Sequence, residues 1–157
     1  MKIALGADPL GVDLKNHILK HLEKKGHETL DLGSIDHEQL VNYVAASHAV
    51  AEAVQNGIAD RGIVFCGTGM GVSIVANKHK GIYCALVESA WAAHECRDVN
   101  NANMLAMGQR IIGFGMAQDI VDVFLNTKWN ECGNEERQDR LQAFSNQIAE
   151  LEKTMYR

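Results

Sequence analysis

The sequence predicts an α/β protein in which a five-stranded parallel sheet is covered by helices. Two observations favour this class: apolar runs rich in β-branched residues alternate with stretches of helical period, and a predicted helix separates each pair of successive strands. The chain has 157 residues, of which 46% are hydrophobic and 22% charged, as in an ordinary soluble domain. We therefore expect a single domain over residues 1–157.

Five short apolar runs are the predicted strands. In chain order they are Lys2–Ala7, Glu28–Asp31, Gly62–Cys66, Ile82–Val87 and Met104–Met107. Between and after them, apolar residues recur at every third and fourth position, which predicts helices that pack on the sheet. These helices are Leu10–Lys25, Val41–Gln55, Met70–Asn77, Ser89–Asp98 and Phe114–Leu125. Helical crossovers between strands require parallel pairing.

The last predicted helix, about residues 135–156, has no strand after it. Leu141, Phe144, Ile148 and Leu151 form one apolar stripe along it. A stripe of this kind needs a surface to cover it, so we expect this helix to pack on a partner subunit in a dimer. Packing on its own sheet is the alternative.

The charge and cysteine content disfavour several classes of protein. A formal net charge of −5 argues against a nucleic-acid surface, which requires clustered Lys and Arg. No apolar run reaches the roughly 18 to 20 residues of a membrane helix, and no secretory signal precedes the first strand, so we expect a cytoplasmic protein. The cysteines form no CxxC metal pair, and we expect reduced thiols at Cys66, Cys84, Cys96 and Cys132.

Ligands of an open parallel sheet bind beyond the carboxyl ends of its strands. The candidate positions in this sequence are Asp8, Cys66–Gly71, Glu88 and Ser89, and Gln109 and Arg110. We expect the catalytic and binding residues among them.

The most informative candidate is the segment in which Cys66 ends a buried strand and Gly67, Gly69 and Gly71 follow. Glycines let the backbone approach a ligand closely, and the free amides of a first helical turn bind an oxyanion or a phosphate. The same amides favour a thiolate, which would make Cys66 a base near neutral pH. A buried structural cysteine in a tight turn is the alternative.

Two other phosphate-binding motifs fit less well. Gly67-Thr68-Gly69 follows a strand and Glu88 lies about 20 residues further on, as in a dinucleotide site, but the third glycine of that fingerprint would fall on Val72. A P-loop is excluded, because no Gly-Lys-Ser or Gly-Lys-Thr follows.

The segment Cys66–Ser73, followed by Ala76-Asn77-Lys78, resembles the core motif of ribose-5-phosphate isomerase B and of the galactose-6-phosphate isomerase subunits. Over roughly residues 1–130, further matching segments are Gly6-Ala7-Asp8 with Gly11 and Lys15, Gly26-His27-Glu28, Asn100–Asn103, and Gly108-Gln109-Arg110 with Gly113. The resemblance implies a Rossmann-like three-layer α/β/α subunit and an obligate dimer with active sites at the subunit interface. It also implies aldose-ketose isomerisation of a sugar phosphate without metal or organic cofactor.

The resemblance implies roles for individual residues. Cys66 resembles the base that carries a proton between C1 and C2, and Thr68 resembles the hydroxyl that assists ring opening. Gly67 and Gly71 resemble donors to the oxyanion. The other substrate-binding candidates are Asp8, Tyr43, Ser73 and Asn100. From the residues alone, Asp8 could equally cap the first helix, Asn100 a turn, and Tyr43 could be a packing residue.

Arginines are expected to hold the phosphate. Arg110 stands where the family has an arginine after its fifth strand. The family's Gly-Gly-Arg-His segment corresponds to Cys132–Arg137, so its first arginine and its histidine are missing here, and Arg137 or Arg140 is the candidate replacement. A solvated helix face is the alternative for both.

Two family histidines that help to open the sugar ring and bind phosphate are replaced by Pro9 and Val99, which transfer no proton. We interpret His94 as a surface histidine, not a replacement. Three explanations remain open. In the first, the substrate is a tetrose 4-phosphate such as erythrulose 4-phosphate. The oxygen that would close its furanose ring is esterified, so no acid is needed to open a ring. Otherwise the chain is one subunit of a hetero-oligomeric galactose-6-phosphate isomerase, or it binds a sugar phosphate without catalysis.

Overall fold

One parallel sheet of five strands forms the centre of the protein, seen here in a computed structural model that describes residues 1–156. The strands are β1 (Lys2–Ala7), β2 (Glu28–Asp31), β3 (Arg61–Cys66), β4 (Cys84–Leu86) and β5 (Met104–Gly108). Their order across the sheet is β2-β1-β3-β5-β4. The predicted parallel sheet is confirmed. Only β4 is clearly shorter than predicted, because this edge strand pairs with β5 alone, and only over residues 84–86.

Within the described residues, six helices connect or follow the strands. They are α1 (Val12–Lys24), α2 (Tyr43–Gln55), α3 (Met70–Ala76), α4 (Ala90–Asp98), α5 (Phe114–Asn126) and α6 (Glu135–Met155). Capping fixes where they begin: Asn42 Oδ1 accepts from the Ala45 N–H at 2.9 Å, and Ser89 Oγ accepts from the Ala92 N–H at 3.1 Å. The predicted helices are confirmed to within two residues. None of these helices is long and apolar enough to cross a membrane.

The helices cover both faces of the sheet, which confirms the three-layer arrangement. Side chains alternate along β3: Ile63 and Phe65 pack with α1, α4 and α5, whereas Val64 and Cys66 pack with α2 and α3. The end of β3 therefore directs Cys66 toward the layer of α2 and α3.

A buried charge fixes α1 against the sheet. Lys15 is fully buried, and its Nζ donates to the carboxylate of Asp31 at the end of β2 and to Asn16 Oδ1 at 2.8 Å. A buried ammonium group that lost its carboxylate would be strongly destabilising. This contact therefore holds the first turn of α1 in place above the carboxyl ends of the strands.

Helix α6 is anchored to its own chain at two places. Leu141 is buried near its start, and Glu152 near its end accepts from the Gly81 N–H at 2.9 Å and from the Tyr83 hydroxyl at 3.2 Å. The rest of the predicted apolar stripe is exposed: Phe144 50%, Ile148 41% and Leu151 58%. The stripe is thus divided between its own chain and solvent, and the partner subunit that we expect on it stays a prediction.

Candidate active site

The carboxyl ends of β1, β3 and β5 lie side by side and bring several predicted site residues together. Cys66 pairs in register with Gly108, so β3 and β5 end at the same level. Beyond the strands, the Arg110 N–H donates to the Gly67 carbonyl at 3.0 Å. We call the region formed by Asp8, Tyr43, residues 66–73 and Arg110 the carboxyl edge.

The sulfur of Cys66 accepts a backbone hydrogen bond. The Gly69 N–H donates to Sγ at 3.1 Å, and Cys66 is 7% exposed, whereas Val64 and Phe65 before it are fully buried. Gly69 reaches this position with a φ of +78°, in the left-handed region that glycine adopts without strain. Cys66 therefore lies at the floor of the carboxyl edge and is not sealed in the core.

Two glycines outside this loop let neighbouring elements approach it closely. A Cβ on Gly11, just before α1, would lie 2.7 Å from the nitrogen of Cys66 and 2.9 Å from its Cα. A Cβ on Gly108 would lie 2.5 Å from the carbonyl carbon of Thr68. Because packed interiors leave no room for such contacts, any side chain at either position would displace the loop.

The other side chains of this region differ in how free they are to meet a ligand. Thr68 is exposed, and its Oγ1 only accepts, from the Met70 N–H at 3.4 Å, so its hydroxyl proton is free. The Ser73 hydroxyl instead donates to the Met70 carbonyl at 2.8 Å. The Tyr43 ring lies 3.0 Å from where a Cβ on Gly71 would be, and Tyr43 is 43% exposed. Thr68 and Tyr43 thus offer polar groups to a ligand, while the Ser73 proton is used within α3.

Asp8 follows β1 and is almost buried. Its Oδ1 accepts from the Leu10 N–H at 2.9 Å, and its own N–H donates to the Phe65 carbonyl at 3.3 Å. Burial raises the pKa of Asp8, although backbone hydrogen bonds from Leu10 and Gly11 and the charge of Arg110 oppose the shift. The cap residue of α1 is Gly11, which makes no side-chain hydrogen bond. The alternative that Asp8 caps the first helix is therefore wrong.

Arg110 is the cation of this edge. Its side chain runs past Gly67, with Cδ 3.7 Å from where a Cβ on that glycine would be, and the residue is exposed. Within the described part of the chain it forms no ion pair and donates no side-chain hydrogen bond. Its charge is therefore available to an anionic ligand.

Two of the three remaining strand-end candidates serve the fold. Ser89 caps α4, and Glu88 is exposed and forms no ion pair within residues 1–156. Gln109 accepts from the Leu14 N–H at 2.9 Å and donates to Asp13 Oδ2 at 3.1 Å, so it fastens α1 to the end of β5. Ser89 and Gln109 therefore help to position the helices beside the carboxyl edge.

Three predicted site residues lie at the opposite edge of the sheet. Asn100 comes before Met104, the first residue of β5, which pairs with Gly62 at the start of β3. A rise of about 3.3 Å per residue along β5 puts this edge roughly 13 Å from Cys66. Arg137 joins Asn100 here through its contact with the end of α4, and Arg140 follows one turn later. One chain therefore does not bring Asn100, Arg137 or Arg140 to Cys66.

Arg137 is held by Asp98, a residue that our sequence analysis does not single out. Arg137 Nη2 donates to Asp98 Oδ2 at 2.6 Å, and Nη1 donates to the Cys132 carbonyl at 2.7 Å. Asp98 is 1% exposed, and its Oδ1 also accepts from the N–H groups of Glu131 and Cys132. Burial by itself would raise the pKa of Asp98, but the hydrogen bonds from Cys132, Arg137 and Glu131 together hold it below its ordinary value. We call Asp98, Asn100, Cys132, Arg137 and Arg140 the amino edge.

The other thiols lack the surroundings of Cys66. Burial raises the pKa of Cys84 to about 12 and that of Cys96 to about 11. Both line a cleft of about 240 Å³ that also includes Asn100 but not Cys66. Cys132 is exposed, with Sγ 3.9 Å from His94 Nε2, so His94 lies beside the amino edge. Nowhere in the described chain do three or more His, Cys, Asp or Glu side chains form a group that could hold a metal ion.

Comparisons with known proteins agree with this arrangement. The family model described as Ribose/Galactose Isomerase matches residues 3–143. A 4-deoxy-4-sulfo-D-erythrose isomerase from a Clostridium species is 39% identical over 157 residues, covering 100% of this chain and 99% of that protein. A D-erythrulose-4-phosphate isomerase from Pectobacterium atrosepticum is 33% identical, covering 94% of this chain and 97% of that protein. Among solved structures, ribose-5-phosphate isomerase B from Clostridium thermocellum has a TM-score of 0.90 and 41% identity, covering 99% of each chain.

Proposed function

This chain belongs to the ribose/galactose isomerase family and is an aldose-ketose isomerase, and from this premise we propose that its substrate is a four-carbon sugar with an anionic group on C4. The observation that carries the proposed chemistry is the hydrogen bond from the Gly69 N–H to the sulfur of Cys66 at 3.1 Å. It supports a thiolate at the edge of the sheet where ligands bind.

Cys66 is the base in this proposal. Its thiolate removes the proton on C2 of the aldose, and the electron pair of that bond forms the C1–C2 double bond as the carbonyl oxygen becomes an enediolate oxygen. Backbone N–H groups of Gly67 and Gly71 stabilise that oxygen. Cys66 then returns the proton to C1 while a proton moves from O2 to O1, which gives the ketose without net oxidation.

The side chains around Cys66 hold the substrate. Asp8 and Tyr43 bind its hydroxyl groups, and Thr68, whose hydroxyl proton is free, donates to a substrate oxygen. Ser73 takes part through its oxygen, because its proton is given to the Met70 carbonyl.

A four-carbon substrate explains the residue that follows Asp8. Pro9 has no group that transfers a proton, and neither has Val99 at the amino edge. A tetrose whose C4 carries the anionic group has no free hydroxyl there to close a furanose ring, so it needs no acid to open one. The names of the relatives from Clostridium and Pectobacterium, an erythrose and an erythrulose isomerase, support this choice.

The anionic group of the substrate requires cations from two copies of the chain. Arg110 is available at the carboxyl edge, but Asn100, Arg137 and Arg140 lie roughly 13 Å away along β5. We propose a dimer in which the amino edge of one copy faces the carboxyl edge of its partner. Exposed apolar side chains around the Cys66 loop support a covered surface, and they are Leu10, Tyr43, Val44, Met70 and Ile74.

The test is a steady-state assay of the purified chain with erythrose and erythrulose derivatives that carry phosphate or sulfonate on C4, and with ribose 5-phosphate and tagatose 6-phosphate. We expect turnover of the tetroses to exceed that of the two longer sugars, both of which close rings. A higher kcat/KM for ribose 5-phosphate would contradict the proposal.

The same assay separates the alternatives. Activity that appears only after a paralogous subunit is added would favour a hetero-oligomeric galactose-6-phosphate isomerase. Binding of the sugars without turnover in any condition would favour a sugar-phosphate-binding protein. Either result would replace the proposed function.

A further inference from the structure

The guanidinium of Arg137 attracts an anionic substrate less strongly than an unpaired arginine would. Its Nη2 is paired with Asp98 Oδ2 at 2.6 Å, and its Nη1 donates to the carbonyl of Cys132 at 2.7 Å. Asp98 is 1% exposed, so water does little to weaken this pairing. A ligand at Arg137 therefore meets a guanidinium whose positive charge is already balanced by a fixed carboxylate.

Further carboxylates lie close to Arg137 along the chain. We call the charged residues there the amino-edge cluster, and they are Asp98, Glu131, Glu135, Glu136, Arg137 and Arg140. The cluster contains two arginines and four carboxylates. Glu131 is tied to Asp98 through its N–H at 2.9 Å, while Glu135 and Glu136 form the first turn of α6 immediately before Arg137.

The pKa of the Cys132 thiol indicates whether negative or positive charge dominates around it. Its pKa is raised, first by slight desolvation and then by the charge of Asp98, and Glu131 adds to the shift while Arg137 opposes it. The carboxylates therefore outweigh the arginine at this position.

The two terminal groups that the proposed function allows differ in charge more than in shape. A phosphate monoester carries about −1.5 to −2 at pH 7 because its second pKa is about 6. A sulfonate has no second acidic proton and carries a single negative charge. Both present three acceptor oxygens in tetrahedral geometry, so an arginine donates similar hydrogen bonds to either.

Resting on the proposed function and its two-copy site, we propose that the protein selects a sulfonate on C4 over a phosphate ester. Arg110 of one copy and the balanced Arg137 of its partner hold one negative charge. The carboxylates of the amino-edge cluster repel the second charge of a phosphate ester. Selectivity then comes from charges that disfavour the wrong anion and not from extra contacts to the right one.

The test compares kcat/KM for 4-deoxy-4-sulfo-erythrose and erythrose 4-phosphate at pH 8 and low ionic strength. We expect the sulfonate to be preferred at least tenfold, and the preference to shrink in high salt because the glutamates of the cluster are exposed. Equal rates, or a preference for the phosphate ester, would overturn the inference while leaving the proposed function intact. No turnover of either tetrose would overturn both.

Charge variants test the cause of the preference. Glu136→Lys should lower the sulfonate-to-phosphate ratio at least threefold, and Asp98→Asn, which removes the carboxylate that balances Arg137, should lower it as well. Asp119→Lys, the same change of charge on an exposed residue of α5 outside the cluster, should leave the ratio unchanged. Because Asp98 is buried and its variant could fold poorly, Glu136→Lys decides: an unchanged ratio in that variant would contradict the role of the cluster.

Discussion

The carboxyl edge and the amino edge of the sheet each carry an arginine, but in the part of the chain that the structure describes one arginine is unpaired and the other is held in an ion pair. At the carboxyl edge Arg110 forms no ion pair within the residues described, and Thr68 keeps its hydroxyl proton free. At the amino edge Arg137 is paired with the buried Asp98 and also donates to a backbone carbonyl. The arginine of one edge is free to bind a ligand, whereas Arg137 at the other edge is already paired before anything binds.

In the function that we propose, this difference separates the residues of the chemical step from those that select the anion. A thiol that acts as a base must gain and lose a proton and needs free hydrogen-bond donors beside it. The glycines of the carboxyl edge provide such backbone donors. An anion-selecting surface needs fixed charges, which the Asp98–Arg137 pair supplies. Since the two edges are roughly 13 Å apart in one chain, a small sugar would contact both only in the dimer that we propose.

The largest expected effect comes from removing the base at the carboxyl edge. Cys66→Ser keeps the size of the side chain but provides no thiolate, so kcat with a tetrose substrate should fall by about 10²- to 10⁴-fold. Steady-state kinetics measure this loss, and substrate binding should persist. The matched control is Cys96→Ser, another nearly buried thiol, whose hydroxyl replaces the donor to the Ala93 carbonyl and should leave kcat near that of the wild type. A fully active Cys66→Ser enzyme would remove the proposed base.

Complementation tests whether the two edges act across copies. Cys66→Ala and Arg137→Ala chains should each be impaired as homodimers, because every site lacks one component. Refolding equal amounts together makes about half of the dimers mixed, each with one intact site of two, so about a quarter of the wild-type activity should return. Activity assays before and after mixing give the answer. If nothing returns although mixed dimers form, the two edges do not complete one site.

A smaller effect is expected where α1 approaches the Cys66 loop. In Gly11→Ala the new Cβ would crowd the backbone of Cys66, and overpacking of this kind costs about 1–3 kcal/mol of unfolding free energy. Urea unfolding measures the loss, and kcat should fall with it because the loop moves. Gly115→Ala is the control: its Cβ meets nothing within 4 Å, and replacing glycine within α5 should stabilise the protein by up to about 1 kcal/mol.

The smallest effect is the pH dependence of the Asp98–Arg137 pair. The folded-state pKa of Asp98 is below its ordinary value, so the pair stabilises the fold at pH values above the unfolded pKa of about 3.9. That contribution is lost as the pH falls through the folded pKa. The melting temperature of the wild type should therefore drop more steeply below pH 4 than that of Asp98→Asn. Parallel curves would mean that Asp98 contributes no pH-dependent stability.

The sequence predicts the carboxyl edge far better than the amino edge, for a physical reason. The Cys66 loop is local: a thiol, three glycines and a strand end lie within six residues, so their spacing alone indicates a backbone nest. The amino edge is built from distant segments. Asp98 is buried because residues 131 and 132 fold over it, more than thirty positions further along the chain, and nothing near Asp98 in the sequence indicates that burial.

The order of the strands also decides what a pattern can predict. Hydrophobic runs locate all five strands, but the short length of β4 follows from its place at the edge of the sheet, which its own residues do not reveal. Likewise, Asn100 fits a sugar-binding motif, yet only the β3–β5 register shows that it lies at the opposite edge from Cys66. Motifs in the sequence indicate the candidate site residues, and the strand register shows which of them lie at the same edge of the sheet.

The two anchors of α6 have a consequence for how quickly copies of the chain find each other. Leu141 and Glu152 are tied to the body of their own chain about 16 Å apart along the helix, so its direction is set in the free subunit. The exposed row that ends with Leu151 is then presented as a rigid surface. Association through it would resemble the docking of two preformed bodies, with rate constants of about 10⁵–10⁷ M⁻¹s⁻¹, and would not wait for a helix to fold on contact.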